Sequence, residues 1–262
     1  MTTATNGGVS LHYQTDGDGE TVAFVGDAGY GAWQWGWQHA AVAGPFESLV
    51  YDQRGVGRSD VPDGPYTVGE LAQDLEVVLA DHGVRKAHLV GAGLGGMVAL
   101  QTALSSNRVA SLTLVATAAT GTGLELAPLH GHPDDREELR RTTEAALSAA
   151  FVERHPDVVD RIVAWRADED ASPRVWDAQT TATERFDASD RLYEITAPSL
   201  VLHGTADSAW PVERGRRLAD GLPRGTFEAV DGAGHLVGVE TSKDVNDRLL
   251  AFLEEHSDVE YL

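Results

Sequence analysis

Cysteine is absent from the 262-residue sequence. That excludes disulfides, thiol nucleophiles, thiolate-bound zinc and iron–sulfur clusters. Lysine is nearly absent: Lys86 and Lys243 are the only two among 20 basic residues, the rest being arginine. No apolar run approaches the roughly 20 residues needed to span a bilayer. Residues 1–14 (MTTATNGGVSLHYQ) lack the basic and apolar regions of a signal peptide, so a cytoplasmic location is expected.

Acidic residues are abundant. Against the 20 basic residues stand 41 Asp and Glu, a formal charge of −21. Such a surface repels nucleic acid and anionic lipid, and neither is an expected partner. The charges are spread along the chain and broken by apolar segments, a pattern of folded rather than disordered sequence. Acidic excess with little lysine is expected of a halophilic protein, one kept soluble in concentrated salt. An ordinary acidic cytosolic enzyme is the alternative.

Apolar runs alternate with helical patterns. Residues 9–14 and 21–25 read as strands joined in a hairpin by Asp16-Gly17-Asp18-Gly19. Residues 46–51, 87–91, 110–116, 199–203 and 226–230 read as further strands. Thr67 and Glu70 form a capping-box pattern ahead of Leu71, Leu75, Val78 and Leu79, one helical stripe closed by Gly83. Helices are also expected at 94–104, 212–220 and 242–256. Short apolar strands separated by helices predict an α/β fold, doubly wound around a mostly parallel sheet. The stretch 120–190 breaks the rhythm, with helical patterning and no strand. It reads as an inserted helical cap, or lid, on a core formed by 1–119 and 191–262. Phe151, Trp165, Trp176 and Phe186 are expected mainly in the cap's own core. Trp33, Trp35 and Trp37, spaced by two, cannot share one helical face and read as a loop wedged against the core.

Three segments carry the chemistry. Asp52-Gln53-Arg54-Gly55-Val56-Gly57-Arg58-Ser59-Asp60 follows a strand. Gly91-Ala92-Gly93-Leu94-Gly95-Gly96 lies on a strand-to-helix turn. Asp207 follows strand 199–203, and His235 sits in the later loop DGAGH. In these segments, and in their order from residue 9 to 256, the chain resembles the α/β-hydrolase superfamily, especially its small esterase, lactonase and haloperoxidase-like members. The resemblance implies a nucleophile elbow, an acid and a histidine in that chain order. Acid and histidine carry over onto Asp207 and His235. The nucleophile does not: its position holds Gly93, where no acyl-enzyme can form. The remainder is a pseudo-triad. The resemblance also implies an oxyanion hole, for which Ala28 and Leu94 are the candidate backbone donors. Beside it lies Asp27, which would repel an oxyanion if turned inward and be neutral if turned to solvent.

Other motifs are weaker. Gly91-x-Gly93-x-x-Gly96 matches a dinucleotide fingerprint but lacks the later acidic residue. His130, His132, Asp134 and Asp135 could ligate a metal, yet suit a loop equally well. No metal or cofactor is expected. The resemblance implies a hydrolase, or a related enzyme using the His235–Asp207 pair, acting on a small ester, lactone or enol-type molecule. Three alternatives remain: a non-catalytic binding protein, a serine hydrolase inactivated by glycine at 93, and a member whose nucleophile comes from elsewhere in the fold. On this reading Gly93→Ser alone would install esterase activity.

Overall fold

The computed structural model describes residues 2–257. Its strands are β1 (Thr2–Asn6), β2 (Val9–Asp16), β3 (Thr21–Val25), β4 (Glu47–Tyr51), β5 (Ala87–Ala92), β6 (Val109–Val115), β7 (Ser199–Gly204) and β8 (Gly225–Val230). They form one sheet in the order β1-β2-β4-β3-β5-β6-β7-β8. The pairs β1–β2 and β2–β4 are antiparallel and all others parallel. β3, β5 and β7 are buried along their whole length, as strands covered on both faces must be.

The expected hairpin between β2 and β3 does not exist, because β4 lies between them. Tyr13 of β2 pairs with Tyr51 of β4, while Val22 of β3 pairs with Ser48 on the other edge of β4. A fully apolar β3 needs neighbours on both sides, and a terminal hairpin would not supply them. The hairpin present joins β2 to β1, a strand without periodic signal, through Gly7-Gly8. Both glycines have positive φ, 56° and 91°, the backbone a two-residue turn of this hand requires.

The helices preceding the cap are α1 (Gly36–Val42), α2 (Val68–Asp81) and α3 (Leu94–Ser105). Thr67 caps α2 as its spacing predicts: its hydroxyl accepts from Glu70 N at 3.1 Å and donates to the Glu70 carboxylate at 2.9 Å. Gly83 closes it, with Val84 N bonded to Leu79 O at 2.8 Å and Gly83 N to Ala80 O at 3.1 Å. The stripe Leu71, Leu75, Val78 and Leu79 is completely buried. The tryptophan segment is more regular than expected. A 3-10 turn, Ala32–Trp35, runs into α1. Trp33 and Trp35 are buried, and Trp37 meets Trp165 edge-on at 5.8 Å.

Between β6 and β7 the chain leaves the sheet for α4 (Arg136–Ala145), α5 (Ala149–Arg154), α6 (Pro156–Glu169) and α7 (Pro173–Arg185). Phe151, Trp176 and Phe186 are buried there, whereas Trp165 is 36% exposed. The chain then adds α8 (Val212–Gly221), α9 (Val237–Glu240) and α10 (Ser242–Glu255). One sheet face packs on α2, α3 and α8; the other packs on α1 and α10, through residues such as Val42, Leu249 and Phe252. No helix among the described residues is long and apolar enough to cross a membrane.

Candidate active site

Parallel strands β3 and β5 are neighbours, with Val25 opposite Gly91. Helices leaving them go to opposite faces, so the loops beyond their carboxyl ends part and open a crevice. Asp27 lies beyond β3 and Gly93 beyond β5. Asp207 and His235 follow β7 and β8, so all four residues gather at one end of the sheet.

The turn after β5 is a strained elbow. Gly93 has φ 48° and ψ −117°, a backbone in which a side chain is costly. Its amide donates to Val115 O at 3.1 Å, and its carbonyl accepts from the Thr117 hydroxyl at 2.6 Å. Gly95 lets α3 approach β3 closely; a Cβ there would lie 2.1 Å from Val25 O.

Asp27 points inward. Its Oδ1 accepts from Leu94 N and from Ala28 N, both at 2.7 Å. The two candidate oxyanion donors therefore converge on a carboxylate of the chain itself. Its Oδ2 lies 2.7 Å from His235 Nε2. On the other side of the ring, Nδ1 lies 2.8 Å from Asp207 Oδ2. Asp207 is held in turn by Ala209 N at 3.0 Å and Trp210 N at 2.9 Å on Oδ1. Asp27, His235 and Asp207 are all less than 8% exposed.

A neutral imidazole has one donor and one acceptor nitrogen. Here both nitrogens face carboxylate oxygens, an arrangement satisfied when both carry protons. Burial alone would lower the His235 pKa, but Asp207 and then Asp27 outweigh it and raise it to about 10. Burial also works against the Asp207 carboxylate, yet the His235 charge and its hydrogen bonds hold it well below the usual carboxylate range. His235 thus lies between two carboxyl groups, one on each ring nitrogen.

The cap grips the loop that carries Asp27. Gln179 of α7 accepts from Gly29 N at 2.7 Å, and Gly29 O accepts from Ala171 N at 2.8 Å. Trp176 packs so tightly on Gly29 that a Cβ there would come within 2.5 Å of its ring. Arg166 of α6 is fully buried, sits 4.8 Å over the Tyr30 ring and pairs with Asp170 at 2.6 Å. Asp170 also accepts from Trp33 Nε1 at 2.7 Å and Gly31 N at 3.2 Å. The Tyr30 hydroxyl and Trp210 Nε1 are buried and make no hydrogen bond. Trp210 stacks on His235, with centroids 6.3 Å apart and planes 18° off parallel.

Other candidates lie apart. His203 Nε2 binds Trp210 O at 2.6 Å and stands 3.5 Å from Asp207, bracing the acid loop. His130 stacks on Trp176 at 4.7 Å. No cluster of three or more metal-ligating side chains exists among the described residues. A serine at 93 would meet Asp27: a Cβ there would lie 1.9 Å from Asp27 Oδ1, so the carboxylate would have to shift to admit it. Asp27, Tyr30, Arg166 and Gln179 carried no periodic signal. Asp27 is marked in the sequence by its place beside the candidate donor Ala28, which leaves its direction open.

Comparison with known proteins identifies the family of the fold. The family described as alpha/beta hydrolase fold matches residues 29–241. The chain belongs to the α/β-hydrolase fold family. Within it, the chain is 36% identical over 258 residues to a Variovorax paradoxus protein named "Putative carbamate hydrolase RutD", covering 93% of this chain and 96% of that one. A Caulobacter segnis protein of the same name is 32% identical over 269 residues, covering 97% and 99%. Among solved structures, an N-acyl homoserine lactone degrading enzyme is similar at TM-score 0.85 and 27% identity, covering 96% of this chain and all of that one.

Proposed function

We propose that this α/β-hydrolase fold protein is a hydrolase of a small carbamate, ester or lactone, with His235 moving the protons and Asp207 orienting it. The observation that carries this reading is the convergence on one carboxylate, Asp27, of His235 Nε2 at Oδ2 and the Leu94 and Ala28 N–H groups at Oδ1. That is the apparatus of acyl chemistry: a proton-transfer group beside preorganised donors. The RutD-named relatives and the lactone-degrading enzyme lend it the substrate class. Asp207, bonded to Nδ1, keeps the ring facing the centre and stabilises its charge. The burial of the centre beneath the cap favours a small substrate. The partnerless Tyr30 hydroxyl and Trp210 N–H are available donors for its carbonyl oxygen.

The fit between Asp27 and position 93 supports glycine as the native residue there. Asp27 fills the space a side chain at 93 would need, so a simple loss of serine would leave the two positions unmatched. The decisive experiment is a panel of small activated carbamates, esters and lactones. Wild-type turnover is expected, abolished in His235→Ala and reduced by on the order of 10⁴ in Asp207→Asn. A panel giving no turnover above the His235→Ala background refutes the hydrolase reading. It would leave a ligand-binding protein, an alternative favoured by Asp27 filling the oxyanion hole.

A further inference from the structure

We propose that Asp27 is the covalent nucleophile of this site, forming an acyl intermediate that water resolves at the Asp27 Cγ; this rests on the hydrolase reading above. The argument starts from where the oxyanion hole points. Leu94 N and Ala28 N both donate to Asp27 Oδ1. A substrate carbonyl cannot occupy that place while Asp27 does. The oxyanion these donors serve is therefore the one that develops on Oδ1 when a nucleophile adds to Cγ. Addition at Cγ requires that the carboxylate first be acylated. Its other oxygen, Oδ2, is bound by neither amide and lies 2.7 Å from His235 Nε2, the group that hands the leaving alcohol its proton.

Gly93 fits the same scheme. The site of the missing Cβ falls 1.9 Å from Oδ1 and 2.1 Å from Cγ, so the absent side chain makes room for this carboxyl group.

The steps balance. In the first, Oδ2 bonds to the carbonyl carbon of an ester or lactone. The carbon–oxygen bond to the alcohol breaks with its electron pair, and the alkoxide takes the proton from His235 Nε2. Asp27 is left as a mixed anhydride and His235 as neutral imidazole. In the second, water adds to Cγ while giving a proton to Nε2, and charge collects on Oδ1 between the two N–H groups. Collapse breaks the Cγ–Oδ2 bond, and the acid product leaves as a carboxylate carrying the former Oδ2. Asp27 keeps Oδ1 and the water oxygen, and its remaining proton goes to solvent.

The electrostatics suit both halves. While Asp27 is a carboxylate, His235 sits between two negative groups and is protonated, as an acid for the leaving alcohol must be. Acylation removes the Asp27 charge and leaves Asp207 as the ring's carboxylate partner; the Nε2 that has given its proton to the alcohol then faces the bond where water adds and accepts the water's proton.

The test is single turnover in heavy-oxygen water, with enzyme in excess over p-nitrophenyl acetate and the Asp27 peptide read by mass spectrometry. The peptide is expected to gain one heavy oxygen while the acetate leaves unlabelled. Asp27→Asn, nearly isosteric, is expected to fold and to lose turnover by at least about a thousandfold. Label in the acetate with none in the Asp27 peptide overturns the proposal, as does Asp27→Asn turning over at the wild-type rate. No turnover by the wild-type protein on any panel member refutes the hydrolase reading itself, and the nucleophile falls with it.

Discussion

Asp27 and Gly93 are complementary: the carboxylate of one occupies the volume that a side chain on the other would need, with 1.9 Å between Oδ1 and the ideal Cβ position. A side chain added at 93 must displace the Asp27 carboxylate. The pair also fixes which atoms meet His235 and the Leu94 and Ala28 amides.

Gly93→Ser alone is therefore expected to create no serine esterase. Serine at φ 48° is strained and collides with Asp27, so a stability loss of about 1–3 kcal/mol is expected from overpacking. Asp27→Gly with Gly93→Ser empties the hole and supplies a hydroxyl. The double variant should show a burst of p-nitrophenol from p-nitrophenyl acetate that the single variant lacks. A burst from Gly93→Ser alone would mean that Asp27 turns away at little cost.

Stability should depend on pH through His235. Its pKa is raised from 6.5 to about 10 in the folded protein, so its contribution is complete below about 6.5 and is lost as pH rises through about 10. Asp207, held low, contributes above its ordinary value near 3.8 and loses that contribution as acid protonates it. Urea midpoints of wild type should exceed those of His235→Gln at pH 6 by more than they do at pH 10. A difference that does not narrow with rising pH would show that the ring is not held protonated.

The cap should depend on Arg166. Replacing it with alanine strands Asp170 in the interior and removes donors to Thr142, Thr143 and the Leu129 carbonyl. A loss of about 3–5 kcal/mol is expected, measurable by urea denaturation. Because Asp170 also binds Trp33 and Gly31, any turnover should fall along with stability. Arg166→Ala at wild-type stability would show that the clamp is dispensable.

Salt should stabilise the fold. With a formal charge of −21, repulsion among exposed carboxylates is screened as KCl approaches molar concentration, and the thermal midpoint should climb. A flat or falling series would remove salt adaptation as the reason for the acidic composition.

Local signals carried much of the architecture. The α2 stripe, its Thr67 cap and its Gly83 stop were legible because each depends on neighbours within a few residues. Runs such as 87–91 and 199–203 announced buried strands, because a strand covered on both faces is predominantly apolar, with polar residues such as His88 and His203 paired inside. Pairing was less legible. The turn at Asp16–Gly19 looks like a hairpin turn, yet the partner of β2 is β4, brought in by the sheet as a whole. β1 was invisible, being an edge strand of polar residues made by the two glycines beside it.

The sequence by itself determined the α/β class, the order of the site segments, and the presence of Asp207 and His235 without a hydroxyl at 93. Tertiary structure alone decided what Asp27 does. A carboxylate at a strand end can face solvent or the crevice, and nothing in the neighbouring sequence distinguishes the two. The inward choice rests on an amide 67 residues along the chain, on a histidine 208 residues along it, and on the missing side chain of Gly93. Those groups meet only when β3 and β5 lie side by side and the loops after β7 and β8 fold over them. Hydrogen bonds and steric exclusion act over a few ångströms in space, so at such separations in sequence the fold must form before they can act.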